Sequence, residues 1–303
     1  MTISARAGAW YGRRVAERLF HPPRRTHHRT PADRGLAYTE DAVTTDDGVR
    51  LHLWVVPGGE DRVAVVGHGI GLTKSASLLQ ARLLHERGYT VVMFDHRNHA
   101  LSGHDPARTD LSDRFTRDVE ATVQHARRLR PDARTLVVWG FSFSTFPSFW
   151  LLSRDRCEVD AVLCDSGPAD ALEPLFGGFV DSGAVPLPGP LRRPAVRDAL
   201  VAACAERAVA MLGADWPPPA TGRFATTPML FLASSGDTIV PADLVRRLAD
   251  RYPHARTEVV RGRHLAGLKE DADAYGRHVS DFLDSVERAA EPSTVDAHPQ
   301  PPA

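Results

Sequence analysis

The stretch Thr135–Trp150, TLVVWGFSFSTFPSFW, decides how the chain reads: an apolar run halts at Gly140 and offers two serines, Ser142 and Ser144, before an aromatic-rich segment. A strand that turns sharply into a helix can present one side chain at the apex, provided the residues two before and two after it are small. Gly140 and Ser144 meet that condition for Ser142. Ser144 would need small residues at 142 and 146, and position 146 is phenylalanine. Ser142 is therefore expected at the apex, the competing reading being a serine that merely caps the following helix.

Working outward, the same unit recurs. The runs RVAVVGHGIG (62–71), YTVVMFDHRNHALSG (89–103), VDAVLCDSGPAD (159–170) and PMLFLASSGDTIVP (228–241) are each near-continuous in apolar residues and end in loops rich in glycine, histidine and aspartate. Amphipathic segments such as SASLLQARLLHERG (75–88) and DVEATVQHARRL (118–129) lie between them. Buried strands alternating with helices imply an α/β protein with a mostly parallel, doubly wound sheet. Such sheets bind ligands outside the carboxyl ends of their strands, where these loops fall. Upstream, alternating residues around Asp46-Asp47-Gly48 predict an antiparallel hairpin.

Composition bounds the rest. At 303 residues, 43% hydrophobic and 25% charged, the chain can bury a large core. Its 37 basic residues nearly cancel 38 acidic ones, so no global field favours nucleic acid. Cys157, Cys164 and Cys204 show no C-x-x-C spacing, which argues against zinc or a disulfide framework and for a reducing, cytoplasmic setting. No apolar run approaches the length of a membrane span. Residues 1–34 stand apart, with eight arginines against Glu17 and Asp33. Trp10, Val15, Leu19 and Phe20 could line one side of a short helix there, packing on the domain or, alternatively, touching an anionic membrane surface. Residues 35–170 and 228–288 form the expected core, 171–227 a proline-rich lid or cap insertion, and 289–303 a disordered tail.

A serine hydroxyl is a weak nucleophile unless a base takes its proton and a third group holds that base. Two residues fall where the sheet should place such partners: Asp237 in GDTIVP, directly after a late apolar strand, and His264 in GRHLAG, after the last apolar strand, RTEVV. The order serine, aspartate, histidine also fits a sheet of this kind.

With GHGIG, DHRNHALSG, GFSFS, GDTIVP and GRHLAG in hand, the chain from about Gly35 to Leu283 resembles an α/β-hydrolase-fold serine hydrolase of the esterase and lipase kind. The resemblance implies Ser142 as nucleophile, His264 as general base and Asp237 as the residue that orients it. It also implies an oxyanion hole from the backbone N–H groups of Ile70 and Phe143. The family's usual last elbow glycine is Ser144 here, which implies tighter packing against the neighbouring strand. Asn98 and Ala100 replace glycines frequent in relatives, and Asp95, Arg97 and Ser102 read as residues that hold their loop.

Other candidates carry simpler readings. Asp165 and Asp170 follow the sixth strand and are the alternative acids to Asp237. His68 reads as a loop histidine bound to backbone, His96, His99 and His104 as loop residues without metal-ligand spacing, and Cys164 as core. No metal or cofactor is expected. Phe141, Phe143, Phe146, Phe149, Leu175 and Phe176 suggest an apolar acyl group, although aromatics at helical spacing also build cores. The expected substrate is a carboxylic ester. A thioester, acyl transfer or cyclisation by the same residues, and a non-catalytic binding protein are the alternatives.

Overall fold

The computed structural model describes residues 3–291 apart from 156, 157, 184, 186 and 188. Its centre is an eight-stranded sheet of β1 (Thr39–Thr44), β2 (Arg50–Val56), β3 (Arg62–Val66), β4 (Thr90–Phe94), β5 (Thr135–Phe141), β6 (Ala161–Asp165), β7 (Met229–Ser234) and β8 (Ala255–Val260). The strand order is β1-β2-β4-β3-β5-β6-β7-β8. β2 runs antiparallel to β1 and β4, and every other pairing is parallel. The hairpin turn forms as expected: Gly48 adopts φ 87°, and Thr45 Oγ1 donates to Asp47 Oδ1 at 2.6 Å.

Helices α1 (Ile3–Phe20), α2 (Leu78–Glu86), α3 (Leu111–Leu129), α4 (Thr145–Trp150), α5 (Glu173–Asp181), α6 (Pro194–Leu212), α7 (Arg223–Thr226), α8 (Ala242–Ala249), α9 (Gly267–Glu270) and α10 (Ala272–Ala290) complete the chain. Strands β4, β5, β6 and β7 are buried at every residue because both faces are covered. On one face Val63, Val65 and Val138 meet Val119 of α3, Phe149 of α4 and Val245 of α8. On the other Ala64, Val66 and Trp139 meet Leu84 of α2 and Phe282 of α10. Consecutive strand residues thus feed opposite cores, which is why the runs read as continuously apolar rather than alternating. Cys164 belongs to the first core.

A third apolar cluster lies over the strand ends and joins α5 and α6 to α1 and the start of α3, with Phe20, Phe146, Leu172, Leu200, Cys204 and Met211 at its centre. Residues 3–20 of the N-terminal segment thus form an 18-residue helix that packs into this layer. Gly8 and Gly12 let it approach α6 backbone to backbone: a Cβ at these positions would lie 2.4 Å from Val196 O and 2.1 Å from Leu200 O. Val15, Ala16 and Phe20 are buried there, each Val- or Phe-sized side chain being worth about 1.5–3 kcal/mol. Trp10 departs from the expected face and is 59% exposed, because at 3.6 residues per turn it points about 140° away from Val15 and about 180° away from Leu19. Helix α10 runs to Ala290, two residues into the expected tail, and 292–303 lie outside the described residues. Among the described residues no helix is long and apolar enough to cross a membrane.

Candidate active site

The turn from β5 into α4 puts Ser142 in the left-handed region at φ 49°, whereas Ser144 is ordinary helical backbone at φ −64°. A positive φ in a non-glycine residue costs of order 1–3 kcal/mol and persists only where its surroundings impose it. Here the constraint is steric. A Cβ on Gly140 would lie 2.5 Å from Ser144 O, and one on Gly67 would lie 1.9 Å from Ser144 Oγ. The serine that replaces glycine at the end of the elbow is thus wedged against Gly67, the first residue after β3, fully buried, with Oγ 2.9 Å from His96 Nε2.

Ser142 Oγ is 2.8 Å from His264 Nε2, and His264 Nδ1 is 2.7 Å from Asp237 Oδ2. The carboxylate can only accept, so Nδ1 carries the proton and Nε2 is left as the acceptor for the serine hydroxyl. Asp237 is held in turn: its Oδ1 accepts from Ile239 N at 2.9 Å and Val240 N at 2.8 Å, which orients Oδ2 toward the imidazole. The loops bearing the two residues are tied by Gly236 N donating to Gly262 O at 2.9 Å. The three residues selected from sequence are therefore brought together in one hydrogen-bonded series.

The alternative acids have other duties. Asp165 accepts from Tyr275 Oη and, at 2.8 Å, from Ser166 Oγ, and burial raises its pKa to about 6 against these bonds. Ser166 Oγ also accepts from Leu265 N at 3.1 Å, and Leu265 has φ 59°. Asp165 thus holds, through Ser166, the strained residue that follows His264. Asp170 accepts from Arg247 Nε at 2.9 Å.

The loop after β3 is fixed by buried side chains, and His68 is bound to backbone as its sequence reading has it. His68 Nε2 accepts from His96 N at 3.1 Å and its Nδ1 lies 2.8 Å from Gly69 O, while His99 Nε2 accepts from Gly71 N at 3.0 Å. Burial keeps these rings neutral, pushing His68 and His96 to about 3 and His99 well below its usual value. The loop ends at Lys74, whose backbone N donates to Asp95 Oδ1 at 2.9 Å and whose buried Nζ pairs with Asp95 Oδ2 beside His27, His52 and Trp54. Burial pushes the Asp95 carboxyl up, but the bond from His27 and the Lys74 charge more than offset this and hold it below the usual carboxylate range. Arg97, also buried, meets Asp47, Asp105 and Asp118, and Ser102 Oγ donates to Asp95 O at 2.6 Å. Asn98 and Ala100, which stand where glycines are frequent, adopt φ 65° and 39°.

An apolar cavity opens beside Ser142, lined by Ile70, Phe143, Phe146, Leu175, Phe176 and Leu212 among others. Of the aromatics near the elbow, Phe143 and Phe146 face this cavity, whereas Phe141 and Phe149 belong to the two sheet cores. Leu19 and Phe20 also line it, a role that sequence could not disclose because it depends on α1 crossing α6. Ile70 and Phe143, the two expected backbone donors, flank Ser142 at the cavity wall.

Comparison with known proteins agrees with this architecture. A family model described as alpha/beta hydrolase fold matches residues 65–215. An esterase from Pyrococcus furiosus superposes with a TM-score of 0.70 at 22% identity, covering 88% of this chain and 98% of that one. An esterase from Exiguobacterium antarcticum gives 0.58 at 15% identity over 82% and 100% of the two chains. An epoxide hydrolase from Vigna radiata gives 0.57 at 15% identity over 82% and 98%. No curated protein matches the sequence. Since the likeness extends to an epoxide hydrolase, it speaks for the fold and leaves the chemistry to the site. The chain is an α/β-hydrolase-fold protein.

Proposed function

We propose that this protein is a serine hydrolase that cleaves carboxylic esters bearing an apolar acyl group. The observation that carries the reading is the series Asp237–His264–Ser142, with heavy-atom distances of 2.7 and 2.8 Å, opening onto an apolar cavity. Ser142 Oγ attacks the ester carbonyl carbon while its proton passes to His264 Nε2. Asp237 keeps the imidazole in the required tautomer and balances its charge. The tetrahedral oxyanion accepts hydrogen bonds from Ile70 N and Phe143 N, each such donor lowering the barrier by about 3 kcal/mol. Collapse expels the alcohol, which takes the proton from His264. Water then attacks the acyl-enzyme with His264 as base, releasing the carboxylic acid and restoring Ser142.

A serine at the apex favours this over epoxide opening, in which related enzymes place a carboxylate there. The test is hydrolysis of p-nitrophenyl esters of graded acyl length beside the matching acyl-CoA thioesters. Turnover that rises with chain length until the cavity is filled, and is lost in Ser142→Ala, is the expected result. A stronger rate on the thioesters would move the reading to a thioesterase. No turnover of either class would overturn it in favour of a binding protein.

A further inference from the structure

Resting on the hydrolase reading, we infer that the alcohol or thiol half of the substrate is anionic and is recognised by Arg18 and Arg25 of the N-terminal segment. Two cavities meet at Ser142, sharing Ile70, Phe179 and Ile239 along their common wall. The first is lined by Phe146, Leu212 and Pro168 and carries no charged residue. The second is lined by Tyr11, Pro22 and Pro23 among others, and the charged groups in its lining are Arg18 and Arg25.

His264 lines the second cavity and not the first. That placement assigns the two halves of the substrate. The leaving group must accept its proton from His264 Nε2, so it occupies the cavity that His264 lines, and the acyl chain fills the apolar one. The surroundings of the leaving group are cationic. Neither cavity has an acidic residue in its lining, and among the described residues neither Arg18 nor Arg25 has a hydrogen-bond or ion-pair partner. The nearest acid in sequence, Glu17, is taken by Arg14, Arg108 and Arg207. Arg25 continues into a neighbouring depression with His28, Arg29, Thr73 and Ser75, again without an acid.

The chain as a whole carries a formal charge of −1, so this is a local feature and not a spillover of net charge. Unpaired guanidinium groups present planar donor forks that suit a phosphate or carboxylate. The α1 segment therefore does two things: its apolar face closes the acyl cavity, and the arginines at and after its end face the leaving group.

The test uses two matched pairs of substrates with one acyl chain. Butanoyl-CoA is compared with butanoyl-N-acetylcysteamine, which has the same thioester without phosphates. The butanoyl ester of 4-hydroxybenzoate is compared with that of 4-hydroxybenzamide. The expected result is a kcat/KM about tenfold or more higher for the anionic member of at least one pair, with the pair that responds identifying phosphate or carboxylate. That ratio should fall toward one in R18Q/R25Q and shrink as salt rises, while Arg14→Gln, outside both cavities, keeps it. Matching circular dichroism and melting of the variants exclude a folding defect. Turnover of neutral substrates with no anion preference in the unaltered protein, or a preference that survives R18Q/R25Q, overturns this inference and leaves the hydrolase reading standing. Absence of turnover on all four overturns both.

Discussion

Ser142 and Ser144 lie two residues apart, and each faces a histidine backed by an aspartate. In the first series Ser142, His264 and Asp237 are joined by contacts of 2.8 and 2.7 Å and open onto a cavity. In the second, Ser144 Oγ is 2.9 Å from His96 Nε2, but His96 Nδ1 is 3.5 Å from Asp118 Oδ2 and has no hydrogen-bond partner among the described residues. All three members of the second set are fully buried. Burial and then the Arg97 charge push His96 to about 3, so it cannot take up the proton that attack would release. Burial raises Asp118 to about 6 even though Arg97 is bonded to it. The same three residue types thus form a hydrogen-bonded series open to a cavity in one place and a buried structural clasp in the other. Access, backbone strain at the serine and a closed carboxylate–imidazole bond separate them.

The largest effects should come from breaking the first series. Ser142→Ala is expected to lower kcat by about 10⁴- to 10⁶-fold with the fold retained, read by ester hydrolysis and circular dichroism. Asp237→Asn, which leaves the geometry but removes the tautomer control, should cost about 10⁴-fold. Loss of less than tenfold in either would show that another group does the chemistry. Breaking the packing that supports both series comes next. Gly12→Leu in α1 would drive a side chain into the Leu200 carbonyl and should lower stability by about 2–4 kcal/mol in urea titration.

The second series should respond in stability and not in rate. Ser144→Ala leaves His96 Nε2 without its partner and is expected to cost about 1–2 kcal/mol while kcat stays within about tenfold. A large fall in kcat with unchanged stability would reverse the roles assigned to the two serines. The smallest effect concerns pH. His52, His68, His96 and His99 all have folded pKa values below the usual 6.5, burial being the leading cause in each. The unfolded chain then binds more protons below pH 6.5, so their contribution is full above that pH and is lost as pH falls, for His68 and His96 down to about 3. Asp118 and Asp165, raised to about 6, act in the opposite sense between about 4 and 6 but are fewer. Unfolding free energy should therefore decline from pH 6.5 to 4.5, and His96→Asn should make that decline shallower by at most about 1.4 kcal/mol per pH unit. An unchanged slope would mean that His96 is not held neutral.

Why the two series differed in legibility follows from what each depends on. The parallel sheet was readable because β4 to β7 are buried on both faces, which forces unbroken apolar runs. Ser142 and Asp237 were readable because each follows such a run, His264 because it follows the last strand, β8, and the two serines were told apart by the size of residues 140 and 144. The buried series was not readable, since His96 meets Ser144 only after β4 and β5 are placed on either side of β3. The same holds for Lys74 with Asp95, His27 and His52, whose members come from four separate stretches. The role of α1 depended on a long-range crossing with α6. Its packing side was traceable in Val15, Leu19 and Phe20, and its close approach to a neighbouring helix only in Gly8 and Gly12, about one helical turn apart.

The account stands or falls on which serine is the nucleophile, and covalent labelling reads that directly. Treatment with a fluorophosphonate followed by peptide mass spectrometry should place a single adduct on Ser142, absent in Ser142→Ala and undiminished in Ser144→Ala. An adduct on Ser144, or labelling that persists in Ser142→Ala, would contradict it.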